Sequence, residues 1–172
     1  MVGALVIAAL LGGTLAYIFW RERNKARKAE AAVAQASAQA GAFNPVQLQL
    51  QAYERLILLC ERIALPNLIS RVNQPGVSGK DMQMMLTHTI RQEFEHNITQ
   101  QLYVSTEAWE AVRNLKEQNI HIINQVSSIL PADVSGADLN RQLLEMLALN
   151  PKASLHGVVA EVLSFEAKKL IR

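Results

Sequence analysis

The chain has 172 residues, half of them apolar, with eight glycines, five prolines and a formal charge of +2. That length suffices for one domain of ordinary size plus an appendage. The positive charge is local: Arg21, Arg23, Lys25, Arg27 and Lys28 stand against Glu22, whereas from residue 45 onward twelve Lys or Arg meet thirteen Asp or Glu. The later region has no basic field to gather phosphates, which argues against a nucleic-acid partner. Cys60 is the single cysteine, so no intrachain disulfide can form, and its place in the run LILLC is that of an inert core thiol. Low aromatic content with abundant Ala, Leu, Gln and Glu predicts an all-α protein, because unbranched side chains lose little freedom on a helix.

Residues 1–20, MVGALVIAALLGGTLAYIFW, carry no charged side chain. As a helix they would extend about 30 Å, the thickness of a bilayer's hydrocarbon layer, which predicts a transmembrane helix. A cleaved signal peptide would begin with a basic region and end in small residues, whereas here the basic block follows the apolar stretch and the stretch ends in bulky YIFW. Positive charge is retained on the cytoplasmic side. Arg21, Arg23, Lys25, Arg27 and Lys28 are therefore expected to hold the carboxyl-terminal side in the cytoplasm, leave Met1 outside and attract anionic lipid headgroups. Ala4, Ala8, Gly12 and Ala16 recur every four residues, a stripe that lets another membrane helix approach closely. The expected partners are thus membrane lipid and a second copy or another membrane protein.

Residues 29–42, AEAAVAQASAQAGA, are too poor in large apolar side chains to bury a face and read as a helical stalk, or a frayed linker, within a 21–44 juxtamembrane segment. Gly41, Asn44 and Pro45 mark the stop of one helix and the start of another. Residues 45–172 then read as a cytoplasmic bundle of four to five helices. The first runs over 45–65, with Pro66 at its end or kink and PNLISRV as a further short turn. Ser78 and Asp81 open a long helix to about residue 103, with the stripe Met82, Leu86, Ile90, Phe94, Ile98 and Leu102. Ser105 or Thr106 opens the next, with Ala108, Val112, Leu115, Ile122, Val126 and Ile129 inward and Asn119 as a polar break. SGAD at 135–138 caps a shorter helix, and a final amphipathic helix follows the break at Asn150 and Pro151. Short connections make an antiparallel bundle the economical packing.

Within QEFEHN, residues 92–97, Glu93 and His96 have the i, i+3 spacing of carboxylate-bridged di-iron bundles. At roughly 100° per residue, Glu93 lies about 100° and His96 about 160° from Phe94, so the pair points away from the core side. A ferritin-like site also needs a second Glu-x-x-His, and the sequence holds just one. No metal or other cofactor is expected. Glu93, Asn97 and Gln101 are instead read as a structural polar network, with Glu93 solvated or bonding neighbouring helices and Asn97 and Gln101 supplying buried hydrogen bonds. Met82, Met84 and Met85 are read as core filling, and Trp109 as an anchor in the bundle. No phosphate-binding glycine loop, nucleophile elbow or Cys/His pair at metal spacing is present, so an enzyme is not expected.

The stretches LQAYERLILLCERIALPNLISRVNQPG and IRQEFEHNITQQLYVSTEAWEAV resemble those of a family of uncharacterised single-pass membrane proteins of Bacteroidota bacteria. The resemblance extends over nearly the whole chain except the alanine-rich stalk. It implies the cytoplasmic membrane of a Gram-negative cell and no catalytic activity. The expected function is a non-enzymatic, membrane-anchored scaffold or interaction protein presenting a cytoplasmic bundle. The alternatives are an accessory subunit of a secretion or respiratory complex and a ferritin-like metal-binding bundle.

Overall fold

The computed structural model describes residues 44–150 and 154–171, together with residues 21, 23–25, 28 and 30. The chain divides into two units, Met1–Asn44 and Pro45–Arg172. In the first, Arg21, Arg23, Lys25 and Lys28 are helical and exposed. Arg27, the stripe Ala4, Ala8, Gly12 and Ala16, and the predicted span 1–20 lie outside the described residues. Among the described residues no helix is long and apolar enough to cross a membrane.

The second unit is all-α, with helices α1 (Pro45–Ile63), α2 (Leu65–Val72), α3 (Gly79–His96), α4 (Thr106–Ile129), α5 (Gly136–Leu149) and α6 (His156–Lys169), and one 3₁₀ segment, Ile98–Leu102. PNLISRV, expected to be a short turn, lies in the eight-residue helix α2. Pro66 sits in its first turn, where a missing N–H costs nothing, but the break at Ala64 leaves carbonyls at the end of α1 in need of donors. Three side-chain groups supply them. Asn67 Nδ2 donates to Glu61 O at 2.9 Å, Arg71 Nη2 to Arg62 O at 2.8 Å, and Asn119 Nδ2 to Ile63 O at 2.8 Å. Asn119, the polar break in the α4 stripe, is thus a buried cap for a bend 56 positions away.

Helix α3 ends at His96 rather than near residue 103. Asn97 Nδ2 takes the carbonyl of Glu93 at 2.8 Å, while the Asn97 backbone N–H turns to Phe94 O at 3.0 Å. This competition of a short amide side chain with the backbone ladder tightens the chain into the 3₁₀ segment and resets which residues face inward. Met82, Leu86, Ile90 and Phe94 are buried as the stripe requires, but Ile98 and Leu102 are exposed, Leu102 by 74%. Ile129 is likewise 78% exposed, at the last turn of α4 just before Pro131. Of the three methionines near the start of α3, only Met82 is fully buried; Met84 is exposed and Met85 half-buried.

The segments α2–loop–α3 and α4–loop–α5 are two copies of one device. Val77-Ser78-Gly79-Lys80-Asp81 and Val134-Ser135-Gly136-Ala137-Asp138 stand 57 positions apart and repeat the same capping bonds. Ser78 Oγ accepts from the Asp81 backbone N–H at 3.1 Å, and Ser135 Oγ from that of Asp138 at 3.2 Å. Each hydroxyl in turn donates to the aspartate carboxylate, at 2.7 and 2.6 Å. The two loops then join through an antiparallel bridge between Ser78 and Ser135. In it Gly79 N–H donates to Val134 O at 2.7 Å and Gly136 N–H donates to Val77 O at 2.9 Å. Both glycines are needed for closeness: a Cβ on Gly79 would stand 2.5 Å from Val134 Cγ1, and one on Gly136 2.8 Å from Val77 Cγ2.

The core lies where these two helix–loop–helix copies meet α1 and α6. Leu56, Ile63, Leu86, Leu115, Leu143 and Leu163 are fully buried there. Trp109 stacks at a tilt on Phe94, with ring centroids 5.0 Å apart. The first and last helices, α1 and α6, make the most extensive pairing, and α3 packs on both α4 and α5.

Candidate functional site

Arg62 comes from the last turn of α1, Arg71 from the last turn of α2 and Glu93 from the outward flank of α3. Arg62 grips both carboxylate oxygens of Glu93, through Nη2 at 2.5 Å and Nε at 2.8 Å, and Arg71 Nη1 reaches Oε1 at 3.3 Å. The forked Arg62 contact has the planar geometry that makes guanidinium–carboxylate pairs directional. Hydrogen bonding from Arg62 holds the Glu93 carboxyl below its ordinary range, with Arg71 assisting and partial burial opposing. Arg62 is correspondingly held above its own.

This cluster borders a cleft of about 250 Å³ whose other walls include Arg55, Leu58, His96 and Asn97. Glu95 and His96 are exposed. Among the described residues no group of three or more His, Cys, Asp or Glu is placed to hold a metal ion. Of the polar residues singled out from sequence, Glu93 and Asn97 come together, but Gln101 does not join them. It is exposed, because the switch to 3₁₀ geometry after Asn97 turns Gln100 inward in its place.

A second cluster lies on the other side of α1. Tyr53 Oη and Ser105 Oγ both donate to Glu166 Oε2 at 2.6 Å, and the Ser105 backbone N–H donates to Tyr53 Oη at 3.2 Å. Ser105 Oγ also accepts from Ala108 N–H at 3.0 Å, so one hydroxyl caps α4 and anchors α6. Burial raises the Tyr53 phenol, and the bond to Glu166 raises it further. Only Ser105 was marked by local pattern; Tyr53 and Glu166 have no signal at their own positions, since they meet across 113 residues. Cys60 is buried, and desolvation, with Glu61 adding, pushes its thiol up to about 12, far from a reactive thiolate.

The outer side of α6 is chemically different from these clusters. Val158, Val162 and Phe165 lie along it, exposed, with Glu161, Lys168 and Lys169 beside them. Lys169 Nζ sits 4.2 Å from the Phe165 ring centroid.

Over residues 1–170 the chain matches a family of unknown function, DUF7935. No curated protein and no solved structure matches it.

Proposed function

The chain belongs to this family of unknown function, and on that premise we propose that it is a non-enzymatic, membrane-anchored scaffold whose helical bundle serves self-assembly or docking onto other membrane proteins. The observation that carries the reading is the outer face of α6, where Val158, Val162 and Phe165 stay in water while the polar groups of the clusters described above are engaged within the bundle. Glu93 is held by two arginines, Glu166 by a tyrosine and a serine, and Asn119 by a backbone carbonyl. Groups so engaged fix helices relative to one another and are poorly placed for acid–base or nucleophilic work. The membrane part of the proposal rests on the uncharged residues 1–20 and the basic block behind them, which favour a single span with the bundle in the cytoplasm. The sequence resemblance favours the inner membrane of a Bacteroidota cell.

Crosslinking in cells followed by purification of the tagged full chain from native membranes tests the proposal. Homo-oligomers or a recurring membrane-protein neighbour are expected. A lone monomer with no crosslinked neighbour overturns it, as does export of a reporter fused to the carboxyl terminus. Subunits recovered in fixed ratio would favour the accessory-subunit form of the same reading.

A further inference from the structure

Helix α6 has two apolar sides. Val159 and Leu163 are buried in the bundle, with Ala167 and Leu170 packed partly against it. On the opposite side Val158 and Phe165 are 59% and 61% exposed, and Val162 is exposed between them. With Phe165 as reference and roughly 100° per residue, Val158 falls about 20° away, Lys169 about 40° and Val162 about 60° on one flank. Glu161 falls about 40° and Lys168 about 60° away on the other. Single exposed apolar residues are ordinary, but three in a line edged by ordered charge mark a contact face.

The charge order specifies what fits that face. Glu161 and Lys168 occupy the same flank seven residues apart. Place two copies of α6 antiparallel, related by a two-fold axis level with the junction of Ser164 and Phe165. Residues on one flank then meet the same flank of the other helix, with the ends exchanged. Each Glu161 comes level with the partner's Lys168, twice by symmetry, while the two Phe165 side chains meet near the axis, with Val162 along the other flank and Val158 at either end of the seam. A parallel arrangement sends Glu161 and Lys168 to opposite edges, where they do not meet.

We propose that the outer face of α6 is an antiparallel self-association surface, seamed by Val158, Val162 and Phe165 and registered by reciprocal Glu161–Lys168 ion pairs. This rests on the reading of the bundle as an assembly module and names its partner as a second copy of the chain. A helix of 14 residues is about 21 Å long, so the contact is a small one and its dimer weak and concentration-dependent. Confinement of two anchored copies in one bilayer raises their effective concentration.

Sedimentation equilibrium of the detergent-solubilised full chain tests this. F165D is expected to raise the dimer dissociation constant by about tenfold or more, as removal of a central aromatic anchor does. E161K and K168E should each raise it by about fivefold, and the double variant E161K/K168E should return it to within about twofold of the parent, because reversing both charges restores opposite signs. All three positions are on the surface, so circular dichroism should be unchanged. A dimer indifferent to every variant, or a double variant as weak as the two single ones combined, overturns the proposal while leaving the scaffold reading in place. A chain with no self-association and no crosslinked neighbour defeats both. A different protein whose recovery is lost in F165D would mean that the face takes a heterologous partner, and a monomer whose α6 gains hydrogen-exchange protection only in vesicles would mean that it takes lipid; either result overturns the proposal.

Discussion

The two Val-Ser-Gly-x-Asp loops build the same caps, the same bridge and equivalent core steps, yet the helices around them are fastened unequally. In the first copy, Gln83 sits at the start of α3 with both ends of its amide engaged. Nε2 donates to Asn124 Oδ1 at 2.9 Å, and Oε1 accepts from Ser127 at 3.0 Å. Its counterpart Asn140 donates to Asn73 Oδ1 at 3.0 Å, but its own Oδ1 is buried without a partner. Asn140 is one methylene shorter than Gln83, and Ser70, the counterpart of Ser127, lies on the same cleft as Asn140. The end of α2 is tied to α3 through Arg71 and Glu93, whereas Ser128, the equivalent of Arg71, only bonds the carbonyl of Gln125. Repeated sequence therefore fixes repeated backbone, while the side chains that clasp each copy to its surroundings have diverged.

The deepest shared positions give the largest expected effects. Leu86 and Leu143 are equivalent and both fully buried, so L86A and L143A should each cost about 2–5 kcal/mol in urea unfolding. A large inequality between them would mean that one copy collapses around the cavity and the other does not. G79A and G136A come next, at about 1–3 kcal/mol each, because the added Cβ meets Val134 O at 3.0 Å in one case and Met82 Cβ at 3.0 Å in the other. S78A and S135A should each cost about 1 kcal/mol, with unequal values showing that the two caps are not energetically the same.

Differences between the copies should read out more weakly. E93Q removes a partly exposed ion cluster and should cost up to about 1 kcal/mol near neutrality. Because the folded Glu93 is held below the ordinary carboxylate value of 4.5, its contribution is fully present above that value and is lost as pH falls through the folded one. Parent and E93Q stabilities should therefore converge in acid, as denaturation at pH 7 and pH 3 would show. The smallest effect is expected from N140Q, which extends the amide toward Ser70 beside a cleft of about 480 Å³ and should gain about 0.5 kcal/mol by satisfying the orphaned oxygen. A loss of stability instead would mean that the extra methylene is overpacked.

Features decided within one turn of chain were readable in advance. Ser78 and Ser105 are N-caps as their patterns require, Pro131 follows the end of α4, and angular position alone puts Glu93 off the core side of α3. What failed was extrapolation of a period past a side chain that competes with the backbone. Nothing in the spacing of Ile90, Phe94, Ile98 and Leu102 reveals that Asn97 takes Glu93 O and ends the α-helix. Partners distant in sequence were equally silent. Arg62 meets Glu93 across 31 positions and Asn119 meets Ile63 across 56, and such pairings depend on how the helices pack. The loop repeat was present in the letters at a constant offset. Its mutual docking was not, because bridge formation needs both copies folded and facing.

The pairing of α1 with α6, bolted by Tyr53, Ser105 and Glu166, also bears on how the molecule is made. Emerging from the ribosome, α1 must wait for about a hundred further residues before its main packing surface and the carboxylate that its phenol binds exist. Until then the face of α1 that carries Tyr53 lacks its final cover, and the nascent bundle is most open to chaperones or to premature sticking in the interval before α6 emerges.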